Sequence, residues 1–479
     1  MTPDTAPTVR VALDGSVRSV DGGRVLIGGS PIRLLRLSAS GAAVVAELAA
    51  GGPVGDRPAV ARLARRLLEG GLAHPRVEPS SRRAGDVTVI IPTLGRPAGL
   101  ARTLAALAAG TAVPRRVVVV DDGSAPAAAA AIAAVAAAAG ADLARRPVTG
   151  GPGAARDTGL ARVTTPLVAF VDGEVEPEPG WLAVLLPHFD DPAVAAVAPR
   201  IVATQGPSWL ARFDRERSPL DLGAAPARVA PRTRVAYVPT TALVARTDAV
   251  GEIDGFDGDL AFGEDVDLVW RLVEAGWTVR YEPATTASHP VRGSLGTWLA
   301  QRAGYGSSAG PLALRHQGAL APVAISAWSA AAWALAAAGF PLAGLAVGAT
   351  AAARLAGRLG PLEHPWVEGV RLAGVGTWGA WRPLASALTR PWWPIAVAAA
   401  VTSRRARRAV VAAALVPPLI DWWRGDRQLD PVRYTALRLL DDAAYGAGVW
   451  AGCARARTLE PLRPDLHSWP GRRAAVERA

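Results

Sequence analysis

The 479-residue chain contains no lysine, so its 52 basic residues are all arginine. A phosphate loop of the Gly-Lys-Ser/Thr kind is therefore excluded. One cysteine, Cys453, excludes an intramolecular disulfide and any multi-cysteine zinc site. Charged residues are scarce at 19% while hydrophobic ones reach 50%, and mean hydropathy is +0.21. That balance excludes a disordered or heavily solvated chain. Met1 to Ser16 lacks an apolar core behind a basic stretch, so no secretory signal is read and a cytosolic start is expected.

What is present is length, alanine and positive charge. The chain is too long for one ordinary core, and two or three domains are expected. The 52 arginines against 41 acids give a net charge of +11. Basicity of this size suits nucleic acid, an anionic membrane surface or a phosphorylated substrate.

The front part reads as a small unit. Val9–Leu13 and Arg24–Ile27 are strand-like, separated by Asp-Gly turns. Helices follow at Ser38–Leu48 and Pro58–Glu69, the first capped by Ser38 or Ser40, the second closed by Gly70-Gly71. This order suits a winged-helix-like module. Arg82 to Gly85 reads as a linker.

The pattern then changes. Apolar runs at Val87–Ile91, Val117–Val120 and Leu167–Val171 alternate with helical stretches at Ala98–Ala109 and Ala125–Ala139. Buried β-branched runs between helices indicate an α/β fold with a parallel sheet. A helix at Gly180–Phe189, strands at Val194–Pro199 and Val235–Val238, a helix at Asp265–Ala275 and a strand at Trp277–Tyr281 complete the block near residue 292.

Beyond it, Ala319 to Ala353 holds 35 consecutive residues without a formal charge. That length permits one crossing of a bilayer about 30 Å thick, or a re-entrant hairpin broken at Pro322 and Pro341. Two shorter apolar stretches, Pro391–Ser403 and Ala409–Ile420, flank Arg404-Arg405-Ala406-Arg407-Arg408. Trp392-Trp393 and Trp422-Trp423 suit a headgroup zone. Residues 404–479 hold 14 arginines against 8 acids, which favours a cytoplasmic, lipid-facing placement. A buried helical subdomain is the alternative.

Six segments carry candidate chemistry. In the first, strand Val87–Ile91 opens into Pro92, Thr93 and Arg96, at the sheet end where ligands of open α/β sheets bind. In the second, Asp121 and Asp122 end the next strand, placed to accept from a uracil imide or a ribose hydroxyl; helix capping is the plain alternative. In the third, Gly150 to Leu160 is a glycine-rich turn entering a helix, where Arg156 offers a donor fork to ribose or phosphate. In the fourth, Asp172 and Glu174, spaced i, i+2 at a strand end, are hard oxygen ligands for Mg²⁺ or Mn²⁺, with Glu176 nearby. In the fifth, Asp254-Gly255-Phe256-Asp257 precedes Glu264 and Asp265 at a helix start; the dipole favours such acids, and Asp265 is the candidate general base. The sixth is His289, a candidate late metal ligand.

Taken as an ordered set over one 180-residue stretch, these motifs closely resemble family 2 glycosyltransferases of the GT-A fold. The resemblance implies inverting transfer from a nucleoside diphosphate sugar, with one divalent metal, Mg²⁺ or Mn²⁺, as cofactor. By it, Pro92, Thr93, Arg96, Asp121, Asp122, Arg156 and Asp172 would contact the donor nucleotide. Asp172, Glu174 and His289 would hold the metal. Asp265, with Glu264 beside it, would deprotonate the acceptor. Two positions depart from the family pattern: Glu174 stands where a second Asp is usual, and Arg156-Asp157 where Arg-Asn is usual.

The flanks, together with Gln301 to His316, resemble the mycofactocin-pathway branch of that family in actinobacteria. This implies a domain plan of a PqqD-like winged-helix module (1–83), a GT-A domain (84–310) and a hydrophobic, arginine-rich, membrane-associated helical region (311–479). It also implies glucose, β-linked, as the sugar, a UDP-sugar as donor and mycofactocin or its precursor as acceptor. Precursor peptide at the front module, membrane lipid at the tail and the cytoplasmic face of the plasma membrane complete the expectation. Gln301 to Tyr305 is only loosely similar to the Gln-x-x-Arg-Trp motif of processive synthases, since Gly304 stands where the arginine would be. A membrane-linked transferase acting on polyprenyl phosphate or cell-wall glycan is the rival within the class. A non-enzymatic peptide- or nucleic-acid-binding protein is the rival outside it; Arg62, Arg65 and Arg66 form only a modest basic cluster, and no nucleic-acid partner is expected.

Overall fold

The computed structural model describes residues 10–78, 82–360 and 362–468. Val9, most of the Met1–Ser16 segment read for a leader, and Arg472, Arg473 and Arg478 of the tail lie outside them.

The front part contains β1 (Arg10–Leu13), β2 (Arg18–Val20), β3 (Val25–Gly28), β4 (Arg33–Arg36), α1 (Ala39–Ala49), α2 (Pro58–Glu69) and β5 (Ala73–Arg76). Ser38 caps α1, its Oγ accepting from Gly41 N at 3.0 Å. Helix α2 buries Val60, Ala64, Leu67 and Leu68, the spacing of one helical face. Strands β2, β3 and β4 form an antiparallel meander, and β1 pairs with β5. Only two of these five strands are legible in the sequence. β2 and β4 are short and arginine-flanked, and β5 contains Pro75, which weakens a strand reading.

The second part contains β6 (Val87–Thr93), α3 (Pro97–Ala108), β7 (Arg116–Asp121), α4 (Pro126–Ala138), β8 (Asp142–Arg145), α5 (Gly151–Leu160), β9 (Leu167–Val171), β10 (Glu176–Pro177), α6 (Trp181–Leu185) and β11 (Val194–Ala203). Next come α7 (Trp209–Arg217), β12 (Ala227–Val229), β13 (Ala242–Arg246), α8 (Thr247–Glu252), α9 (Glu264–Glu274) and β14 (Thr278–His289). One mixed sheet runs in the order β10-β14-β11-β13-β9-β6-β7-β8, with β12 added to β14. Strands β9, β6, β7 and β8 are parallel neighbours. The chain leaves β6 toward β7 on one side and returns as β9 on the other. That reversal opens a crevice above the carboxyl ends of β6, β7 and β9.

The strand expected at 235–238 is not present. Val235 and Val238 are buried, but this segment has no ladder partner; Trp270 Nε1 holds the Ala236 carbonyl at 2.8 Å instead. β13, a few residues later, takes the sheet position against β9.

Two compact units emerge. One runs to Gly206 and resumes from Arg217 to Val291; the other takes Pro207–Glu216 and the chain from Arg292 onward. The front module therefore belongs with the α/β sheet. Arg65 makes a bidentate pair with Asp191 at 2.9 Å, and Arg234 reaches Asp14 at 3.4 Å. Arg65 of the α2 basic cluster is thus committed to an internal partner.

The second unit adds α10 (Leu295–Ser307), α11 (Ala309–Arg315), β15 (Ala324–Ser326), α12 (Ala327–Ala337), α13 (Pro341–Arg358), α14 (Pro365–Gly379), α15 (Trp381–Thr389), α16 (Trp393–Thr402), α17 (Arg404–Arg424), α18 (Pro431–Ala456) and β16 (Asp465–His467). Helices α10 and α18 pack closely, and buried Arg302 joins Asp214 at 2.7 Å and Asp441 at 3.0 Å. Gln301 donates to Tyr305 Oη at 2.9 Å. The 35-residue uncharged run is divided among β15, α12 and the first part of α13. Among the described residues no helix is long and apolar enough to cross a membrane, so the single crossing allowed by sequence length is not formed. Proline at 341, a residue favoured at a helix start, begins a separate helix there.

Candidate active site

The crevice is floored by β6 and β7, whose last residues, Thr93 and Asp121, face each other in parallel register. Both are buried, at 6% and 1% exposure. Thr93 Oγ1 and Asp121 Oδ2 accept or donate no hydrogen bond, although Arg145 Nε lies 3.5 Å from the latter as an ion pair. Asp121 Oδ1 is occupied by Ser124 N at 3.0 Å, and Ser124 Oγ in turn receives Gly95 N at 2.8 Å. Buried polar atoms without hydrogen bonds are costly, and two of them on adjacent strands at a sheet's ligand-binding end mark a place where a ligand supplies the hydrogen bonds.

Asp122 takes a different part from its neighbour. Its carboxylate accepts from Gly150 N and Gly151 N at 2.9–3.2 Å and pairs with Arg146 at 2.7 Å. It fixes the glycine-rich turn ahead of α5. The sequence leaves base recognition open between Asp121 and Asp122; the structure gives the unsatisfied oxygen to Asp121 alone.

Arg156 is also redirected. Expected to face the nucleotide, it is 2% exposed and turned inward. One arm of its fork donates to Asp172 Oδ1 at 2.6 Å, the other to Glu264 Oε1 at 2.9 Å. Burial alone would depress the guanidinium, but the two carboxylates outweigh it and hold the charge. Its carbon lies 5.4 Å from the Phe256 ring centroid, and Phe256 packs edge-on against Phe170 at 5.1 Å. Arg156 therefore sets two acidic residues from different elements at fixed separation.

The Gly255-Phe256 loop is held from beneath. Asp157 Oδ1 accepts from Phe256 N at 3.0 Å, and Arg271, paired with buried Asp267 at 2.7 Å, donates to Gly255 O at 2.7 Å. Gly255 has φ +64°, and a side chain there would meet Asp157 Oδ1 at 2.5 Å. The Asp157 departure from the family pattern keeps the acceptor that this loop needs, since carboxylate and amide oxygens both accept.

Asp265 lies in the first turn of α9, with Oδ1 accepting from Val266 N at 2.8 Å. Burial raises its pKa to about 7, the Glu264 and Asp172 charges add to the rise, and Arg156 opposes it. A carboxylate with this pKa is suited to take a proton near neutral pH.

The expected metal ligands are not gathered into a shell. Among the described residues no three His, Cys, Asp or Glu side chains sit together closely enough to hold a metal ion. Asp172 is drawn to Arg156, and Glu174 pairs with Arg96. Arg96 accordingly reaches toward the acidic turn. His289 ends β14 beyond the Ser288–Glu176 pairing, and its carbonyl accepts from Thr204 N at 2.9 Å. Pro92 is buried in β6, its carbonyl close under Gly173. The donor chemistry still fits a hard cation: Asp172 is partly exposed and has one carboxylate oxygen outside its arginine contact.

Sequence reasoning missed Arg145 and Arg146. Arg145 ends the four-residue edge strand β8 and Arg146 follows it; an alanine-rich flank hides that strand, and the tandem arginine itself is the available signal.

A parallel-sheet crevice carries an acidic turn after one strand and a raised-pKa carboxylate at a helix start, the site of a group-transfer enzyme, and the family model for glycosyl transferase family 2 matches residues 88–249. Two curated relatives, the pre-mycofactocin glycosyltransferases of Mycobacterium tuberculosis strains CDC 1551 / Oshkosh and ATCC 25618 / H37Rv, are each 42% identical over 472 residues, covering 96% of this chain and 98% of theirs. The chain belongs to the pre-mycofactocin glycosyltransferase family and is a family 2 glycosyltransferase. Among solved structures, a mannosyltransferase of Pyrobaculum calidifontis in complex with GDP-Man and Mn²⁺ matches at TM-score 0.44 and 17% identity, covering 76% of this chain and 90% of that one. TarS 1–349 of S. aureus matches at TM-score 0.38 and 17% identity, over 49% of this chain and 66% of that one.

Proposed function

We propose that this enzyme transfers a hexose, glucose in β linkage, from a UDP-sugar to mycofactocin or its precursor, with inversion at the anomeric carbon. The observation that carries the donor half is the pair of buried oxygens on Thr93 and Asp121, neither of them hydrogen-bonded, at the carboxyl ends of adjacent strands. The acceptor half rests on full-length kinship to the pre-mycofactocin enzymes.

Asp121 and Thr93 receive the base and ribose, with Pro92 and Arg145 bordering them. Asp265 accepts the proton of the acceptor hydroxyl as that oxygen attacks the face opposite the leaving diphosphate. Glu264 and Asp172 are held in place by Arg156, so the base and the acidic turn keep their spacing through turnover. Asp172, with Glu174 once Arg96 releases it and His289 third, would hold Mg²⁺ or Mn²⁺. Bound there, the cation supplies charge neutralisation to the departing diphosphate. The front module, residues 1–83, is assigned to precursor-peptide recognition in the PqqD manner. The helical region from about residue 311 is assigned to attachment at the cytoplasmic face of the plasma membrane.

The test offers purified protein with UDP-sugars and, in separate arms, mycofactocin precursor and a polyprenyl phosphate. A mass increase of one hexose on the precursor, with β linkage by NMR, is expected. Transfer to the lipid phosphate alone would overturn the acceptor assignment, and retention of configuration would overturn inversion.

A further inference from the structure

We propose that the C-terminal unit docks flat on an anionic lipid surface through exposed stripes of α13, α14, α16 and α17, with the arginines opening α17 set against the headgroups. The proposal rests on the membrane attachment proposed above and specifies its surface, its partner and its mode.

The first observation is apolar exposure. Leu342 and Leu345 on α13 are exposed, the former at 79%. Trp378 on α14 is 70% exposed, Val401 on α16 76% and Trp423 on α17 64%. On α17 the exposed residues Val411, Leu415, Leu419 and Trp423 recur at four-residue spacing, so they share one face. A water-facing stripe would carry charge there. These helices are packed neighbours: α13 on α14, α16 on α17, and α12 beside α13, α14 and α17. Large apolar side chains left exposed on several packed neighbouring helices mark an interaction surface.

The second observation selects the partner. Residues 292–479 hold 22 arginines against 10 acids, a net +12, whereas residues 1–291 hold 30 against 31, a net −1. The chain's whole positive surplus therefore accompanies the exposed helices. Arg404, Arg405, Arg407 and Arg408 are exposed, and none pairs with an acid among the described residues. Instead Arg405 lies over the Phe340 ring at 5.7 Å, and Arg407 reaches the Ala400 carbonyl at 3.4 Å. An apolar face beside unpaired cations matches an anionic lipid surface, where aliphatic side chains enter the acyl boundary, indole rings lie at headgroup level and each arginine adds attraction. A second copy of the chain would bring the same positive charge against itself. No described helix crosses, so attachment lies in the plane of the interface.

The test floats the full chain with phosphatidylcholine vesicles and with vesicles containing phosphatidylglycerol. Strong binding to the anionic vesicles, weakening as salt rises, is expected, with little binding to phosphatidylcholine alone. Replacing Arg404, Arg405, Arg407 and Arg408 by Gln should lower partitioning on the order of a hundredfold or more. Trp378→Glu with Leu342→Glu should abolish it. Unchanged thermal melting and sugar transfer in both variants would show an intact fold. Equal, salt-insensitive binding to both vesicle types, unmoved by the arginine changes, would overturn this docking mode while leaving membrane attachment standing. Binding to neither vesicle would overturn both. Concentration-dependent dimers that disappear in the Trp378/Leu342 variant, without vesicle binding, would assign the face to a second copy.

Discussion

At the residue scale, the site turns on how one arginine is spent. Arg156 looks in the sequence like a nucleotide contact because it follows a glycine-rich turn. Burial decides otherwise: a desolvated guanidinium is held by carboxylates at both ends of its fork, and Asp172 and Glu264 provide them. Asp265 then sits beside a concentration of negative charge and titrates near neutrality. Because the base must be ionised, turnover should rise with pH through about 7 and level above it. Asp265→Asn should lose on the order of 10²–10⁴ in kcat while still binding UDP, measured by product formation beside calorimetric titration. Full activity in that variant would remove Asp265 from the base role.

At the element scale, α5 carries the chemistry because it lies close to the sheet. At Gly159 an added Cβ would come within 2.5 Å of Ile90 Cγ2 in β6. Glycine is required there by approach of helix to strand. Gly159→Ala should cost about 1–3 kcal/mol through overpacking and push α5 outward. A lowered midpoint in urea unfolding, together with a raised KM for donor, is the expected outcome; an unchanged KM would mean that α5 position does not govern the donor site. The segment 235–238 teaches the converse lesson. Its short apolar run is that of a strand, yet it forms none, because the sheet position is filled by β13 and Trp270 takes a carbonyl of the segment.

At the scale of the whole molecule, the front module joins the sheet through ionisable groups, and this gives a pH signature. His74 and Asp14 form a buried pair at 2.7 Å, with Arg234 approaching from the α/β part. Burial depresses the His74 pKa below its ordinary 6.5, opposed by Asp14. Burial alone would raise Asp14, but His74, Ser16 and Arg234 outweigh it and hold the carboxyl at about 2. For both groups the unfolded chain binds protons more readily than the folded one, so stability is full above the unfolded value and is lost as pH falls. The melting temperature should therefore decline below about 6.5, and again between 3.8 and about 2. His74→Gln should flatten the first decline and shrink the second, since His74 is the first of the groups that lower Asp14; two unaltered declines would place the pH sensitivity elsewhere.

The sequence by itself determined the α/β class, the order of the chemistry-bearing segments and the kinship of the chain. Those depend on local periodicity and on short motifs at strand ends: Val87–Ile91, Asp121 and Asp265 lie on the elements that such patterns specify, and Asp172 directly follows one. It did not reveal β2, β4, β5 or β8, which are too short or too polar to alternate. Only the tertiary structure decided which of Asp121 and Asp122 keeps an open oxygen, where Arg156 points, and that the 35-residue uncharged run breaks into short elements. These are questions of who meets whom across long sequence separations. Burial makes each unpaired polar group expensive, so partners brought from distant elements, rather than neighbours in the chain, settle the role of each side chain.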